Sequence, residues 1–332
     1  MANYIPTPSN PSTYAGQSTV FESIGDKESI SDIIGLISPY DTPNYSQFSK
    51  RAAIQPTIQW QEDELRAPAA NAQDEGFDAG AVTTSATGMR VNYCQLFSET
   101  AQASGTSLAT EFYGRQNELD YSVMKKGLEL KRDIEYALVG GDAINNPLGD
   151  FGAATTPAPQ TAPRALTSVQ GLIGAATTSA NGGTLRDFTE ALVLEVHEKT
   201  YVLGGDPNQL QVTPQHAISV ANFAYATGRE RDVDNKTKLV NTVDIYQSPF
   251  GTLSVVTNKW LKGVNVGAAS SDALLLEVDR HWCSELRPLT TEPLAKVGDS
   301  ERRLLTTELT TGLENRDASG LVTDLNNAFT AV

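Results

Sequence analysis

The feature that most constrains the fold is a long stretch of helical periodicity between residues 107 and 139. Apolar residues recur there at about 100° per residue and charged residues occupy the other side, a pattern typical of an amphipathic helix. Ser107 can cap the start, and Gly140-Gly141 can end the helix. At about 1.5 Å per residue, such a helix is about 50 Å long. Its apolar stripe consists of Phe112, Leu119, Val123, Gly127, Leu130, Ile134 and Ala137.

The same helix carries a second, weaker apolar patch, formed by Tyr121, Met124 and Leu128. Because apolar side chains on two faces give a helix two surfaces to bury, the patch predicts contact with two different partners. Gly127 lies within the main stripe, where the lack of a side chain is expected to allow close approach of a neighbouring backbone.

The chain before this helix has the pattern of extended structure. Residues 1–21 carry no charged side chain and are interrupted by prolines, which favours an arm that cannot form its own core. Strand-like runs follow at Thr57–Gln61 and Val91–Ser98, separated by a long and mostly polar segment. Since this connection is too long for a tight hairpin, it predicts a long two-stranded protrusion.

The pattern changes twice after the helix. Residues 143–185 are rich in Ala, Thr, Gly and Pro, which is typical of a loop region, with a short helix expected near Val169–Ile173. From Leu185 onward, helices and strands alternate, which predicts a compact α+β domain. The expected helices are Leu185–Leu203 and Pro214–Phe223, and the expected strands are Gln209–Thr213, Leu239–Gln247, Thr252–Asn258 and Ala273–Val278. The alternating tail, Arg302–Leu325, is expected to return to an earlier sheet.

The charge balance limits the partners that the chain attracts. Its 332 residues carry 40 acidic and 25 basic side chains, a formal net charge of −15 at pH 7. Such a surface repels phosphate, so a sequence-reading nucleic-acid binder is not expected. Neither a membrane helix nor a signal peptide is expected from the apolar runs. Cys94 and Cys283 are far apart and match no disulfide framework or metal motif, which suits a reducing compartment.

The residues that most often carry catalysis form no recognisable constellation. His197, His216 and His281 lie in separate predicted elements, and His197 is expected at the surface of its helix. His281 and Cys283 lie side by side on a predicted strand, which is not the arrangement of an activated Cys–His pair. We therefore expect no enzyme activity, no bound metal and no cofactor.

Three adjacent acids, Glu62, Asp63 and Glu64, begin the polar part of the predicted protrusion. Adjacent carboxylates in a flexible loop do not converge on a metal without supporting ligands, and a solvated charge run is the simplest alternative. We favour a third interpretation, in which these acids meet Lys or Arg side chains of another subunit.

Several segments, in their order along the chain, resemble the major head protein family of tailed bacteriophages that lack an attached scaffolding domain. They are Ser38–Pro43, Trp60–Leu65, Gly127–Glu135, Leu286–Pro288 and Thr291–Glu301. The resemblance runs from about residue 20 to residue 325, and residues 143–185 depart from it.

This resemblance implies an α+β chain with the Hong Kong 97-like capsid fold. The expected parts are an N-terminal arm (1–54), an extended β-hairpin loop or E-loop (55–104), a peripheral domain (105–184) with its spine helix (107–139) and an inserted loop (143–184), an axial domain (185–285), and a return to the peripheral domain (286–332).

The resemblance also implies a non-enzymatic major capsid protein. Its copies are expected to form hexamers and pentamers and to close an icosahedral phage head around double-stranded DNA. The expected partners are other copies of the chain, a portal protein, optional decoration proteins, and DNA held by confinement, with no membrane. The expected location is the virion, after synthesis in the host cytoplasm.

Specific contacts between subunits follow from this family picture. Residues 1–30 are expected to wrap an adjacent subunit, and the protrusion is expected to lie on a neighbour. Trp60 is its expected buried anchor, beside Glu62, Asp63, Glu64 and Arg66. The expected basic partners on the long helix are Arg115, Lys125, Lys126 and Arg132.

Three other functions remain open from the sequence. The same fold could form an encapsulin-like bacterial compartment, which would need a cargo-peptide groove. An acidic hydrolase would need two carboxylates on rigid strand ends, and no such pair can be nominated. A secreted adhesive or surface-layer protein would need a secretion signal.

Overall fold

The computed structural model shows a mixed α+β chain and describes residues 38–39, 41–78, 80, 87–140, 164–223, 245–261 and 270–326. Its helices are α1 (Pro43–Gln47), α2 (Gly105–Ala109), α3 (Glu118–Val139), α4 (Val169–Leu172), α5 (Glu190–Val202) and α6 (Pro214–Phe223). Its strands are β1 (Ser49–Ala52), β2 (Thr57–Glu62), β3 (Gly88–Tyr93), β4 (Gln95–Ser104), β5 (Thr178–Ser179), β6 (Gln209–Val212), β7 (Ile245–Gln247), β8 (Thr252–Thr257), β9 (Ser270–Leu276), β10 (His281–Pro293), β11 (Ser300–Leu313) and β12 (Gly320–Asn326).

A first sheet of order β1-β10-β11-β4 forms one half of the body. The long strands β10 and β11 are antiparallel neighbours, β4 pairs antiparallel with β11, and β1 pairs parallel with β10. Helix α3 packs on this sheet, and Leu130, Ile134, Leu305 and Leu309 are buried in the core between them. Burial of these leucine and isoleucine side chains supplies the main free energy that holds the helix to the sheet.

The long helix begins later than its periodicity predicts. The expectation of one helix over 107–139 is wrong at its start, because residues 110–117 separate α2 from α3. Gly114 adopts a left-handed φ of 74°, which no helix accommodates, and Asn117 caps α3 by accepting hydrogen bonds from the N–H groups of Leu119 and Asp120. The predicted end is confirmed, since Gly140 closes α3 with a φ of 92°. At 1.5 Å per residue, α3 is about 33 Å long.

Of the predicted apolar stripe, Leu119, Leu130, Ile134 and Ala137 are buried, and Val123 and Gly127 are half-buried. Phe112, which was predicted in the same stripe, lies before α3 and is 37% exposed. A Cβ added at Gly127 would lie 3.7 Å from Leu305 Cδ2, which is ordinary van der Waals contact. The expected close backbone approach at Gly127 is therefore wrong.

A second sheet of order β5-β12-β9-β6-β8-β7 forms the other half of the body. It shares a separate core with α5 and α6, in which Val196, Leu210, Val220 and Leu275 are buried. The predicted helix Pro214–Phe223 is confirmed in full, and the predicted strand at 209–213 ends one residue earlier. The start of the strand predicted at Leu239–Gln247 lies outside the described residues.

The C-terminal tail returns to both sheets. Strand β11 lies between β10 and β4 in the first sheet, whereas β12 lies between β5 and β9 in the second. The segment expected to return to one domain, residues 286–332, is thus divided between the two halves. The proposed domain boundaries stay a prediction.

The protrusion begins as a separate two-stranded sheet, as predicted. Strands β2 and β3 are antiparallel, with Thr57 opposite Tyr93 and Glu62 opposite Gly88. The chain between them has no regular structure over residues 63–78, and every side chain in that range is exposed.

The short helix expected near Val169–Ile173 is confirmed as α4. The segment before it is fastened to the first sheet by Arg164, which pairs with the buried Glu308 at 2.6 Å. Residues 141–163, which include most of the predicted inserted loop, lie outside the described residues, as do residues 1–37 of the predicted arm.

Candidate functional site

The base of the protrusion is rigidly joined to the body. Asn92 on β3 is fully buried, and its side-chain amide donates to the carbonyl oxygens of Thr167 and Thr311 at 3.1 and 2.6 Å. Its Oδ1 accepts from Thr167 N at 2.8 Å. A buried amide with its partners satisfied fixes local geometry, so the hairpin leaves the body in a defined direction.

Trp60 contributes to the same joint. Its ring meets Trp282 edge to face, with the centroids 5.6 Å apart, and the Arg51 guanidinium lies 5.0 Å from the Trp282 ring. Trp60 is therefore half-buried against its own chain. Its expected contact with a neighbouring subunit stays a prediction.

The tip of the loop, residues 63–78, combines negative charge with exposed apolar side chains. Leu65 is 99% exposed and Phe77 is 60% exposed, so both apolar side chains are open to contact with a partner. Arg66 is the one basic residue of the tip, and its guanidinium donates to Ala67 O at 3.2 Å. The acidic residues of the tip are Asp63, Glu64, Asp74, Glu75 and Asp78.

Two of the predicted acids have partners within the chain. Glu62 pairs with Arg90 on the facing strand at 2.8 Å, and both side chains are largely buried. Glu64 lies 3.6 Å from Arg316 but is 80% exposed, so that this pair is weak. Asp63 accepts only the N–H of Glu64 among the described residues.

The outer face of α3 exposes the second apolar patch that the sequence predicts. Met124 is 60% exposed, while Tyr121 and Leu128 are half-buried. Lys125 and Lys131 are exposed beside this patch, and neither forms an ion pair within the described part of the chain. We call the surface formed by Tyr121, Met124, Lys125, Leu128, Lys131 and Arg132 the outer α3 face.

The predicted basic partners differ in whether they already form ion pairs within the chain. Arg115 was expected on the long helix but lies in the turn before α3. Arg115 pairs with Glu118 at 2.7 Å, and Lys126 pairs with Glu129 at 2.7 Å and with Glu99 at 3.1 Å. These hydrogen-bonded acids raise the pKa of Lys126, which keeps it charged. Arg132 has no acidic partner among the described residues and lies 4.9 Å from the Trp260 ring.

The sequence reasoning missed several surface residues, and it wrongly placed Phe112 in the apolar stripe of the long helix. Phe112 and Tyr113 project from the turn before α3 and are 37% and 53% exposed, and Arg115 lies 4.7 Å from the Phe112 ring. The glycine at position 114 was the available signal for this turn. Lys131, Leu65 and Phe77 were also missed, because nothing local distinguishes an exposed side chain from a buried one.

The histidines offer no activated nucleophile. His281 is fully buried and burial lowers its pKa to about 3, while burial raises the pKa of Cys283 to about 12. A reactive cysteine needs a thiolate, which a nearby imidazolium stabilises, whereas these pKa values favour a neutral imidazole and a protonated thiol. The expectation that His197 lies at a helix surface is wrong, since the turn before β8 covers it: Ser248 Oγ lies 3.0 Å from its Nδ1 and the Phe250 ring packs at 5.6 Å.

Neither a metal centre nor a membrane span emerges from the described residues. Within those ranges no three His, Cys, Asp or Glu side chains are grouped as metal ligands would be. None of the helices in the same ranges combines the length and apolarity needed to cross a bilayer.

Sequence comparison matches most of the chain to a known family. The model of a family described as SU10 major capsid protein matches residues 13–326. The chain is also 28% identical, over 345 aligned residues, to the major capsid protein of Escherichia phage Phieco32, covering 91% of this chain and 95% of that protein.

Structural comparison finds the same fold at much lower identity. A capsid structure of a native GTA particle superposes with a TM-score of 0.60 at 13% identity, covering 90% of this chain and 94% of that one. The SrpI encapsulin of Synechococcus elongatus PCC 7942 superposes with a TM-score of 0.58 at 6% identity, covering 92% and 95%.

Proposed function

Because the chain belongs to the SU10 major capsid protein family, we propose that its copies assemble through hexamers and pentamers into the icosahedral head of a tailed phage. The mixed α+β fold is that of Hong Kong 97-like phage capsids. Membership in a structural family favours a protein that is not an enzyme.

The observation that carries this proposal is the tip of the protrusion, residues 63–78. A free subunit gains nothing by exposing Leu65 and Phe77 on a segment with no core of its own. Rings and shells need head-to-tail contacts in which one patch meets a different patch on the next copy. A segment that leaves its own body and is completed by another copy supplies such a contact.

The outer α3 face of a neighbour is the surface that best complements this tip. The tip is acidic with two exposed apolar side chains, and the outer α3 face is basic with exposed Met124. Opposite charges fix the register of such a contact, and burial of the apolar groups supplies affinity. Of the residues predicted for this contact, Asp63, Glu64, Lys125 and Arg132 form no strong ion pair among the described residues and can pair with another copy. Glu62, Arg115 and Lys126 would contribute while keeping their own partners.

Two further contacts complete the proposed assembly. Residues 1–30 wrap an adjacent subunit, so protein lacking them is expected to form no normal particles. DNA is held by confinement, because a net charge of −15 per copy repels it and packaging therefore needs a motor. A portal, optional decoration proteins, and synthesis in the host cytoplasm before location in the virion belong to the same proposal.

A charge-swap experiment tests the proposed contact. Purified protein is examined by negative-stain microscopy and sedimentation, and wild type is expected to form closed particles. Glu75→Lys and Lys125→Glu are each expected to reduce particle yield at least tenfold, and the double variant is expected to recover part of it. Glu198→Lys, an exposed acid on α5, is the matched control and should assemble normally. Normal particles from both single variants would refute the contact.

An encapsulin-like compartment shell is the second candidate, favoured by the superposition on the SrpI encapsulin. It is the weaker one, since sequence similarity places the chain with phage proteins. Particles that retain a specific cargo enzyme through purification would favour the compartment, and a gene beside terminase and portal genes would favour the phage head. Family membership gives no support to an acidic hydrolase, the remaining alternative.

A further inference from the structure

A cluster of buried polar side chains lies where four separate segments meet. Asn44 of α1, Glu135 of α3, Gln211 of β6 and Asn258, which follows β8, are all 0% exposed. Their positions in the sequence are far apart, and they join the N-terminal segment to both halves of the body. Buried polar side chains usually form hydrogen bonds, and a cluster of four such side chains calls for a structural or functional explanation.

Glu135 is the centre of the cluster. Its Oε1 accepts from Asn44 N at 3.2 Å and from Asn258 Nδ2 at 3.0 Å, and its Oε2 accepts from Tyr45 N at 2.9 Å. Asn44 and Tyr45 lie in the first turn of α1, where backbone N–H groups have no partner inside the helix. Burial raises the pKa of Glu135, while the N–H donors around it act in the opposite direction.

Helix α1 needs this external support. It has only five residues, no side-chain cap and no acid in its first turn, and so short a helix is not stable by itself. Gln211 adds a second link, since its Nε2 donates to Asn44 Oδ1 at 2.5 Å.

Besides its strand pairing and the buried Phe48 ring, which stacks on His281 at 5.0 Å, this segment has three ion pairs among the described residues, and all of them lie at the surface. Lys259 pairs with Asp41 at 2.7 Å, Lys50 with Glu285 at 3.2 Å, and Arg51 with Glu314 at 2.6 Å. Each of these side chains is more than a quarter exposed, and exposed ion pairs contribute little to stability. Among the charged groups that hold this segment, the buried carboxylate is therefore the one whose loss is expected to have the largest effect.

We propose that Glu135 is a latch that positions the N-terminal segment, residues 41–53, against the junction of the two sheets. By holding α1, the latch places β1 along β10, where Ser49 is opposite Trp282 and Ala52 is opposite Glu285. It thereby fixes the position of Asp41 and α1 on the body. The consequence for assembly rests on the proposed function, whereas the latch itself does not.

Hydrogen exchange measured by mass spectrometry on the full-length protein tests the latch. Glu135→Gln keeps the shape but turns an amide NH₂ group toward N–H donors. Exchange of peptides covering residues 43–53 is expected to accelerate at least tenfold, while peptides from β11 exchange as in wild type. Lys259→Ala, which removes an exposed tie of the same segment, is the matched control and should change exchange less than threefold.

Each result has a distinct meaning. Unchanged protection of residues 43–53 in Glu135→Gln would overturn the latch. If that variant does not fold, Glu135→Asp, which keeps the charge with a shorter reach, is measured instead, and full protection there would equally overturn it. A released segment with no particles supports both latch and assembly role. A released segment with normal particles would overturn the assembly role alone. If the wild-type protein itself forms no particles, that result would contradict the proposed function and leave the latch untouched.

Discussion

All three histidines of the chain are buried, and this makes the fold sensitive to mild acid. Burial lowers the pKa of His216 to about 4 and that of His281 to about 3, and it also lowers the pKa of His197. In the unfolded chain an imidazole has a pKa near 6.5. Because the folded pKa is the lower one, this stability is complete above about pH 6.5 and is lost as the pH falls toward 4.

His216→Gln is expected to flatten this dependence. Between pH 6 and pH 4.5, the free energy of unfolding should fall less steeply than in wild type, by up to about 1.4 kcal/mol per pH unit, since one proton fewer is taken up on unfolding. Urea titrations of the unassembled subunit at several pH values measure this slope. Ser271→Ala removes the hydroxyl that lies 2.5 Å from His216 Nε2 but keeps the imidazole, so its curve should run parallel to that of wild type. Equal slopes for His216→Gln and wild type would contradict the prediction.

Gly312 is the residue on which the joint of the protrusion depends. A Cβ at this position would overlap the Trp282 ring, which packs against Trp60. Gly312→Ala is expected to cost about 1–3 kcal/mol of unfolding free energy, the usual cost of overpacking. It should also accelerate hydrogen exchange in β2. Gly88→Ala, whose Cβ would lie 3.6 Å from Glu62 O, is the control with little expected change. A fully stable Gly312→Ala protein would show that the tryptophan pair is not rigid.

At the scale of elements, α3 shows which features of a helix its sequence periodicity can predict. The buried stripe from Leu119 to Ala137 was predictable because it depends only on spacing within one helix. The observed start of α3 was not predictable from periodicity, because the apolar spacing continues through residues 112–119. The turn there depends on the left-handed Gly114 and on the capping residue Asn117. For His197 the deciding contact comes from the turn at Ser248–Gly251, which is distant in sequence.

Gly127→Ala is expected to stabilise the protein. Glycine inside a helix costs about 1 kcal/mol relative to alanine, and here the added methyl group makes an ordinary contact with Leu305. Thermal unfolding of the unassembled subunit should therefore shift upward by a few degrees. An unchanged or lower midpoint would mean that this part of α3 is packed more tightly than the 3.7 Å distance indicates.

At the scale of the whole molecule, the candidate surfaces were only partly predictable. The sequence alone predicts the acidic residues of the loop, the basic residues of the helix and the second apolar patch at Met124. Which of these charges are free is decided by tertiary pairs such as Lys126 with Glu99, and no local pattern reveals such pairs. The Glu135 cluster was missed for the same reason, since its members come from four distant segments.

Two opposing charge effects predict how assembly responds to salt. A net charge of −15 makes the copies repel one another over long distances, whereas the proposed loop contact attracts at short range. The Debye length is about 30 Å at 0.01 M salt, about 8 Å at 0.15 M and about 3 Å at 1 M. Raising salt to about 0.15 M should screen the long-range repulsion first, and raising it to about 1 M should then weaken the contact.

Particle yield is therefore expected to pass through a maximum at intermediate salt, which light scattering and sedimentation can measure. The variant Lys125→Glu combined with Lys131→Glu reverses two of the three basic side chains of the outer α3 face. Its yield should be lower than that of wild type at every salt concentration, and it should lose the decline at high salt while keeping the rise at low salt. This difference separates a specific contact from general screening, because the variant lowers the net charge of each copy by only four. A wild-type yield that keeps rising to 1 M would mean that the shell is held by apolar burial alone.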